Sequence, residues 1–516
     1  MRKIVVIFLL LLQFSFLNAQ SKVINNIVKF KMKNTGAFLD VNKDVDGYYF
    51  FYEVDKLKKR QREFAINILD KNLNDVATKK MVASKYTVLA GNAFNNQNTL
   101  FAFFDYKEKT ITLKGFDKKA NPIEDRVIVL DKKVSKNLRF QSNSNMLRNL
   151  LTPVKNKGFL LTLPNFSGKG QGYSISFIPT DEVSKDWVFN EIPTKRFIHT
   201  ITPVTVNEKF IVLIDVFGKQ MSKKKQFNTI VLNTQSGELL FEKPYDENDP
   251  KLISNAFLSK EGNVAVLGQY YEPKAKIIKA ESLGLYVDIY DKTGKKVFEN
   301  KISWAEDVSK VLPVKSESKL KDIGYIFFHD IIKTQNGEYY AIGEQYRKTV
   351  SAAGVATAVI SGLFGGIQTS GFTQLTIKDV YIFKFDKDFT LTKVEIFDKG
   401  TSRIQNLLDF GSPQFSAFVI KARGGFDYVY SQIDKKRDRF YANFIDYERG
   451  EKGKKSQLVF KTIIHDDGEL SEDKVVLKNR SSYFRVLPGK LGSVLILEYN
   501  RKRKQATMHL EKLNIK

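Results

Sequence analysis

The chain of 516 residues carries 83 Lys and Arg against 57 Asp and Glu, a formal net charge of +26, which favours anionic partners: lipopolysaccharide, acidic polysaccharide, phospholipid head groups or nucleic acid. It has no cysteine, so disulfides and thiolate metal sites are excluded and the fold must rest on an ordinary hydrophobic core. Four histidines, His199, His329, His465 and His509, stand at no zinc-binding spacing, and neither a nucleophile elbow nor a Gly-rich phosphate loop accompanies them.

Residues 1–19 join a charged Arg2-Lys3 to an apolar run from Ile4 to Leu12 and a Leu17-Asn18-Ala19 exit, the pattern of a secretory signal peptide whose removal leaves Gln20 as the first mature residue. The apolar run is too short to span a bilayer. No cysteine follows the cut, so lipid attachment there is excluded, and the expected location is periplasmic, outer-membrane-associated or extracellular. Losing Arg2 and Lys3 takes the charge from +26 to +24, still strongly cationic. Export makes nucleic acid the least favoured of the anionic partners.

Next along the chain, Ile27-Val-Lys-Phe-Lys-Met32 alternates as a strand does, and is expected to complete a sheet begun at the other end of the chain. The stretch from Asn42 through Asp44, Asp46 and Gly47 to Glu53 has the oxygen ligands and glycine of a calcium loop. Asp46-Gly47 also falls where Glu261-Gly262 and Asn336-Gly337 fall in later repeats, which reads as a plain hairpin turn, and Phe50 stands where the calcium hairpin of integrin-type propellers needs an acid. No cofactor is expected, with calcium at Asn42, Asp44 and Asp46 as the one candidate.

From there the same cadence recurs eight times: an apolar alternation, a short turn, a second strand, a lysine-rich connection and a third strand. Phe257 to Tyr270 and Ile332 to Tyr346 are the best copies, each with two glycines six apart, Gly262 with Gly268 and Gly337 with Gly343. Asp, Asn and Gly turns close the third strands at Leu69-Asp70, Phe116-Asp117, Leu232-Asn233, Tyr290-Asp291 and Phe385-Asp386. This predicts an all-β fold: a β-propeller of seven or eight four-stranded blades, its ring closed by the N-terminal strand, forming a single domain over 20–516. Phe and Tyr within the strand patterns are read as sheet packing, and Trp187 and Trp304 are the only indoles.

Basic clusters fall mainly between second and third strands: Lys58, Lys59 and Arg60; Lys223, Lys224 and Lys225; Lys274 and Lys276; Lys454 and Lys455; and Arg501, Lys502, Arg503 and Lys504. In a propeller these loops emerge on one face, which would polarise the molecule; the competing reading is that they are solubility devices. The sixth unit departs from this pattern with an uncharged insertion at 349–377. Val359, Ile360, Leu363, Phe364 and Ile367 make it a candidate for shallow membrane or partner contact, with a channel flap or glycine loop as the competing reading. Its small residues at Ala353, Thr357, Ser361 and Gly365 also suit close packing between copies.

The exit Asn18-Ala19-Gln20 on a Lys-, Asn- and Phe-rich chain, together with the strand cadence, resembles exported β-propeller proteins of the Bacteroidota cell envelope. The resemblance implies a Gram-negative envelope and transfers no residue or activity. The functional expectation is a non-catalytic binding or scaffolding propeller, its basic face meeting an anionic envelope surface, a polysaccharide or an envelope protein, with peripheral membrane contact through the insertion. A propeller enzyme acting on polysaccharide and a homo-oligomeric structural component are the alternatives.

Overall fold

In the computed structural model the alternating segments pair into antiparallel sheets, 65% strand and 7% helix, far from the one-third helix that would contradict the repeat. Residues 20–513 are described, apart from 41–42, 144–149, 194–195, 220–225, 260, 278–279, 313–324, 351–372, 406–412, 423, 449–456 and 478–482. Among them the strands fall into four-strand runs, termed units. Unit one comprises Thr35–Leu39, Val45–Lys56, Gln61–Asp70 and Asp75–Ser84, paired in that order. Unit two spans 87–129, unit three 151–191, unit four 197–243, unit five 251–303, unit six 326–397 and unit seven 428–477. Units three and four merge into one eight-stranded sheet through a single parallel pairing, Gln171 opposite Ile198.

Unit eight has Tyr483–Pro488, Ser493–Asn500 and Gln505–Lys512, and takes its fourth strand from the opposite end of the chain. That strand is Ser21–Ile24, antiparallel to Gln505–Lys512 with Val23 opposite Thr507, so Ile27–Met32 is not the segment that completes the sheet. Asn26, at φ 58°, turns the chain off the sheet edge directly after Ile24. The alternation at 27–32 serves a crossing instead: Ile27 N donates to Lys504 O at 3.0 Å, and Lys29 and Glu53 exchange backbone hydrogen bonds. Its apolar residues Ile27 and Phe30 both pack into the cluster with Phe50 and Tyr499 between units eight and one.

The paired glycines have separate physical roles. Gly262 and Gly337 hold the first hairpin at φ +79° and +92°, where a side chain is strained. Gly268 and Gly343 lie inside the second strands opposite bulges in the first, between Ile253 and Asn255 and between Phe328 and Asp330. A Cβ on Gly268 would stand 2.0 Å from Leu252 O.

Apolar clusters bridge successive units. Phe38, Tyr49 and Phe51 of unit one pack with Phe94, Phe101 and Phe103 of unit two, and Leu285 and Val287 of unit five with Tyr381 and Phe383 of unit six. The first strand of unit one touches those of units two and eight, and the same contact recurs from unit two to unit six and between units seven and eight. Between units six and seven, polar side chains meet: the His329 ring stacks on Tyr428 at 4.6 Å and 1°, and Tyr428 donates its hydroxyl hydrogen to Asp330 at 3.2 Å.

The uncharged stretch of unit six begins and ends as strand. Tyr339–Val350 and Thr373–Phe385 extend as a hairpin in which Val350 faces Thr373, so 349–350 and 373–377 belong to the ladder and the insertion is shorter than 349–377. Ser402–Gln405 adds to this arm, and Ala417 and Ile420 of the helix Pro413–Ala422 pack on Tyr346, Leu375 and Ile377. Val359, Ile360, Leu363, Phe364 and Ile367 lie outside the described residues. Among the described residues, no helix is long and apolar enough to cross a membrane.

Candidate anionic-ligand cleft

The crossing at 27–32 lies against the base of a cleft where units eight, one and two adjoin. Because the segment alternates, Phe30 turns onto Phe50 at 4.3 Å while Lys29 and Lys31 are left exposed. Two cavities meet there, about 670 Å³ toward unit eight and about 470 Å³ toward unit two, and both are lined by Lys29, Phe30, Glu53 and Lys85. Unit eight contributes Arg501, Lys504, Tyr483 and Tyr499; unit one contributes Lys56 and Arg62. Lys31, Lys33, Tyr106, Arg139 and Ser142 line the unit-two end. Arg139 comes from the helix Lys132–Asn143 that follows unit two, and its guanidinium lies over the Tyr106 ring at 4.7 Å.

Glu53 is the only carboxylate among these lining residues. Its side chain is 8% exposed and is held 3.1 Å from Arg62 Nε, so the acid of the lining braces one of its cations. Desolvation, and after it the neighbouring Lys29, hold the Lys31 amine below its usual range. Burial likewise pushes the Tyr52 hydroxyl upward. Chemically, the cleft can hold negative charge.

The structure brings together two of the predicted basic clusters. The turn bearing Lys58, Lys59 and Arg60 adjoins the cleft, since Arg60 O accepts from Lys85 N at 2.9 Å, and Arg501 and Lys504 line it. Lys502 and Arg503 are exposed in the same turn. Lys274 and Lys276 are exposed on unit five, where Lys274 N donates to Glu247 O at 2.6 Å. Lys223, Lys224, Lys225, Lys454 and Lys455 lie outside the described residues. Sequence reasoning missed Lys29, Lys31, Arg62, Lys85 and Arg139, because none stands in a run of basic residues; the alternation at 27–32 was the available signal for the first two.

At the calcium-like hairpin, Asn42 lies outside the described residues. Asp44 accepts from its neighbour Val45 N at 2.8 Å, Asp46 pairs with Lys118 at 2.8 Å, and Lys43 reaches Asp330 of unit six in an ion pair. Among the described residues, no group of three or more His, Asp or Glu is placed to hold a metal ion.

The histidines occupy separate places. His465 stacks on Phe440 at 4.7 Å, His199 Nδ1 stands 2.7 Å from Asp215, and His509 Nε2 stands 3.5 Å from Glu511. His329 sits in a buried charge network at the junction of units six and seven. Its Nε2 lies 2.9 Å from Glu344 and its Nδ1 2.8 Å from Lys421 Nζ. Glu344 in turn stands 3.3 Å from Lys399, which pairs with Asp427. His329, Glu344 and Lys399 have fully buried side chains. Burial, then Lys421, holds the imidazole well below its ordinary value; burial raises Glu344 and lifts Asp427 to about 6.

A family profile described as a family of unknown function, DUF6770, matches residues 1–514. No curated protein matches the chain. Among solved structures it is similar to prolyl oligopeptidase B from Galerina marginata, at 10% identity and TM-score 0.38 over 92% of this chain; this chain spans about half, 55%, of that one. The WD40 domain of SCAP from fission yeast matches at 7% identity and TM-score 0.22, covering 95% of this chain and 94% of that one. An ulvan lyase of polysaccharide lyase family PL25 matches at 10% identity and TM-score 0.36, covering 82% and 91%. At such scores none of the three bears on what this chain binds.

Proposed function

The chain belongs to the DUF6770 family, whose function is unknown, and from that premise we propose that it is an exported, eight-bladed β-propeller of the cell envelope that binds an anionic partner in the cleft at units eight, one and two. Eight four-strand runs, contacts between successive first strands and the pairing of Ser21–Ile24 with Gln505–Lys512 support the propeller and its closure. The observation that carries the binding role is the cleft lining, in which Lys29, Lys31, Lys56, Lys85, Arg501 and Lys504 converge around a single carboxylate already paired to Arg62. Scattered solubilising lysines would be interspersed with acids, as in the third-strand turns at Asp291-Lys292 and Asp386-Lys387-Asp388. The signal-like leader supports export, and the apolar segment containing Val359, Ile360, Leu363, Phe364 and Ile367 supports a second, membrane or partner contact.

An enzyme acting on polysaccharide is the second reading, favoured by one observation, the histidine held by an acid at His329 and Glu344. Those side chains are sealed, whereas the cleft is open, and the binding role therefore ranks first. The test is sedimentation of the mature protein with anionic liposomes or lipopolysaccharide at low and moderate salt. The triple variant Lys29→Ser, Lys31→Ser, Lys504→Asn is expected to bind weakly and with a shallower salt dependence. A charge-matched control, Lys292→Ser, Lys295→Ser, Lys387→Ser, removes exposed lysines from the third-strand turns of units five and six and is expected to bind as wild type does. Equal loss in both variants would reduce the cleft to net charge and overturn the reading.

A further inference from the structure

We infer that the ligand of this cleft is a linear acidic polysaccharide, one carrying carboxylate or sulfate groups along its length; this rests on the binding role proposed above. The first argument is shape. Two cavities share Lys29, Phe30, Glu53 and Lys85, and the cations run along them from Arg501 and Lys504 of unit eight through Lys29 and Lys85 to Arg139 beyond unit two. A single head group or phosphate would need one focus of charge. Charge distributed over three units fits repeating charge on one chain.

The second argument is what the aromatic residues leave exposed. Single-stranded nucleic acid is held on a series of open ring faces. In this cleft the rings are already engaged: Phe30 stacks on Phe50 at 4.3 Å and meets Tyr499 edge-on at 5.2 Å, and the Arg139 guanidinium covers Tyr106 at 4.7 Å. Tyr483 is the exception, 68% exposed at the unit-eight end. One open ring beside a row of cations suits a pyranose face stacked at one end and acidic groups held along the rest.

The third argument is the absence of projecting aliphatic side chains from the lining. Val28, Met32, Val88 and Leu89 are each partly buried in the groove walls, so none stands out as a fully exposed anchor for acyl chains.

The experiment measures binding of the mature protein to heparin and polygalacturonate, with dextran, phosphatidylglycerol vesicles and oligo(dT) as rivals, by calorimetry at fixed ionic strength. Both acidic polysaccharides are expected to bind at least tenfold more tightly than every rival, with affinity climbing as the saccharide lengthens and levelling once the groove is filled. Tyr483→Ala is expected to weaken polysaccharide binding about fivefold to tenfold and to leave the melting temperature unchanged, since the ring is exposed. Lys29→Ser with Lys31→Ser is expected to weaken it at least tenfold. Tighter binding to vesicles or to oligo(dT), lost in the same lysine variant, would overturn the polysaccharide while leaving the anionic cleft standing. No binding to any probe, or binding indifferent to the lysine variant, would overturn both.

Discussion

His329 is a histidine the fold keeps neutral: burial and Lys421 disfavour the imidazolium, although Glu344 stands 2.9 Å away. An unfolded chain titrates this ring near its ordinary value of about 6.5. Its folded value is depressed, so the stability it contributes is present above about pH 6.5 and is lost as the pH falls, because the unfolded chain then binds a proton that the folded site refuses. Glu344 and Asp427 act in the opposite direction. Their raised carboxyls contribute stability at low pH that is lost on the way up, through about 6 for Asp427. His329→Phe keeps the stack on Tyr428 and both carboxyls, so comparison with wild type isolates the imidazole. Denaturant titration should show the wild-type advantage shrinking by about 1.4 kcal/mol between pH 7.5 and pH 5.5. Parallel stability curves for the two proteins would show that the ring is already free to protonate in the fold.

A strand unit depends on where its glycines sit. Gly268 faces the bulge at Ile253 and Asn255, and a methyl group there would strike Leu252 O at 2.0 Å. Gly268→Ala should therefore lower stability by about 2–3 kcal/mol, measured by thermal denaturation. Gly262→Ala, in open space with Lys209 Nζ at 3.9 Å, should lose only about 1 kcal/mol, through backbone strain. If the order of the two effects were reversed, the bulge would not be the reason for the second glycine. These positions were legible in the sequence because turn chemistry and strand alternation are local properties. The cleft was legible only in part: the 501–504 turn stands out as a basic run, but Lys29 and Lys31 looked like the solvent side of an edge strand. Asn26 at φ 58° diverts that segment, and a single left-handed residue leaves little trace in a pattern of alternation. The junction network was not legible, since His329 and Glu344 meet across paired strands of unit six and are joined by Lys399 and Asp427 only where units six and seven adjoin.

At the scale of the molecule, everything depends on the chain's two ends meeting in one sheet. The alternative is an open row of units with the strand Gln505–Lys512 left as an unpaired edge, a template for aggregation. The register between the ends allows a direct test, and the lack of native cysteine makes it unambiguous. Leu510 N donates to Gln20 O at 3.0 Å, and hydrogen-bonded pairs alternate with the closer, non-hydrogen-bonded ones along an antiparallel ladder. Counting from Gln20 and Leu510, Val23 and Thr507 form one of the closer pairs. Neither is buried, so cysteine at both positions leaves the core intact. Val23→Cys with Thr507→Cys should oxidise to a disulfide within one molecule, because that pair spacing suits disulfide geometry. The bond would tie positions far apart in sequence and should raise stability by about 2–5 kcal/mol, reversed by reductant. Non-reducing electrophoresis and melting curves read both effects. A control pairing shifted by one residue, Val23→Cys with Met508→Cys, should crosslink poorly, since neighbouring side chains on a strand point to opposite faces. Crosslinking between molecules in place of within them would mean that each chain completes its neighbour's sheet, and equal yields in both pairings would remove the register on which the proposed closure rests.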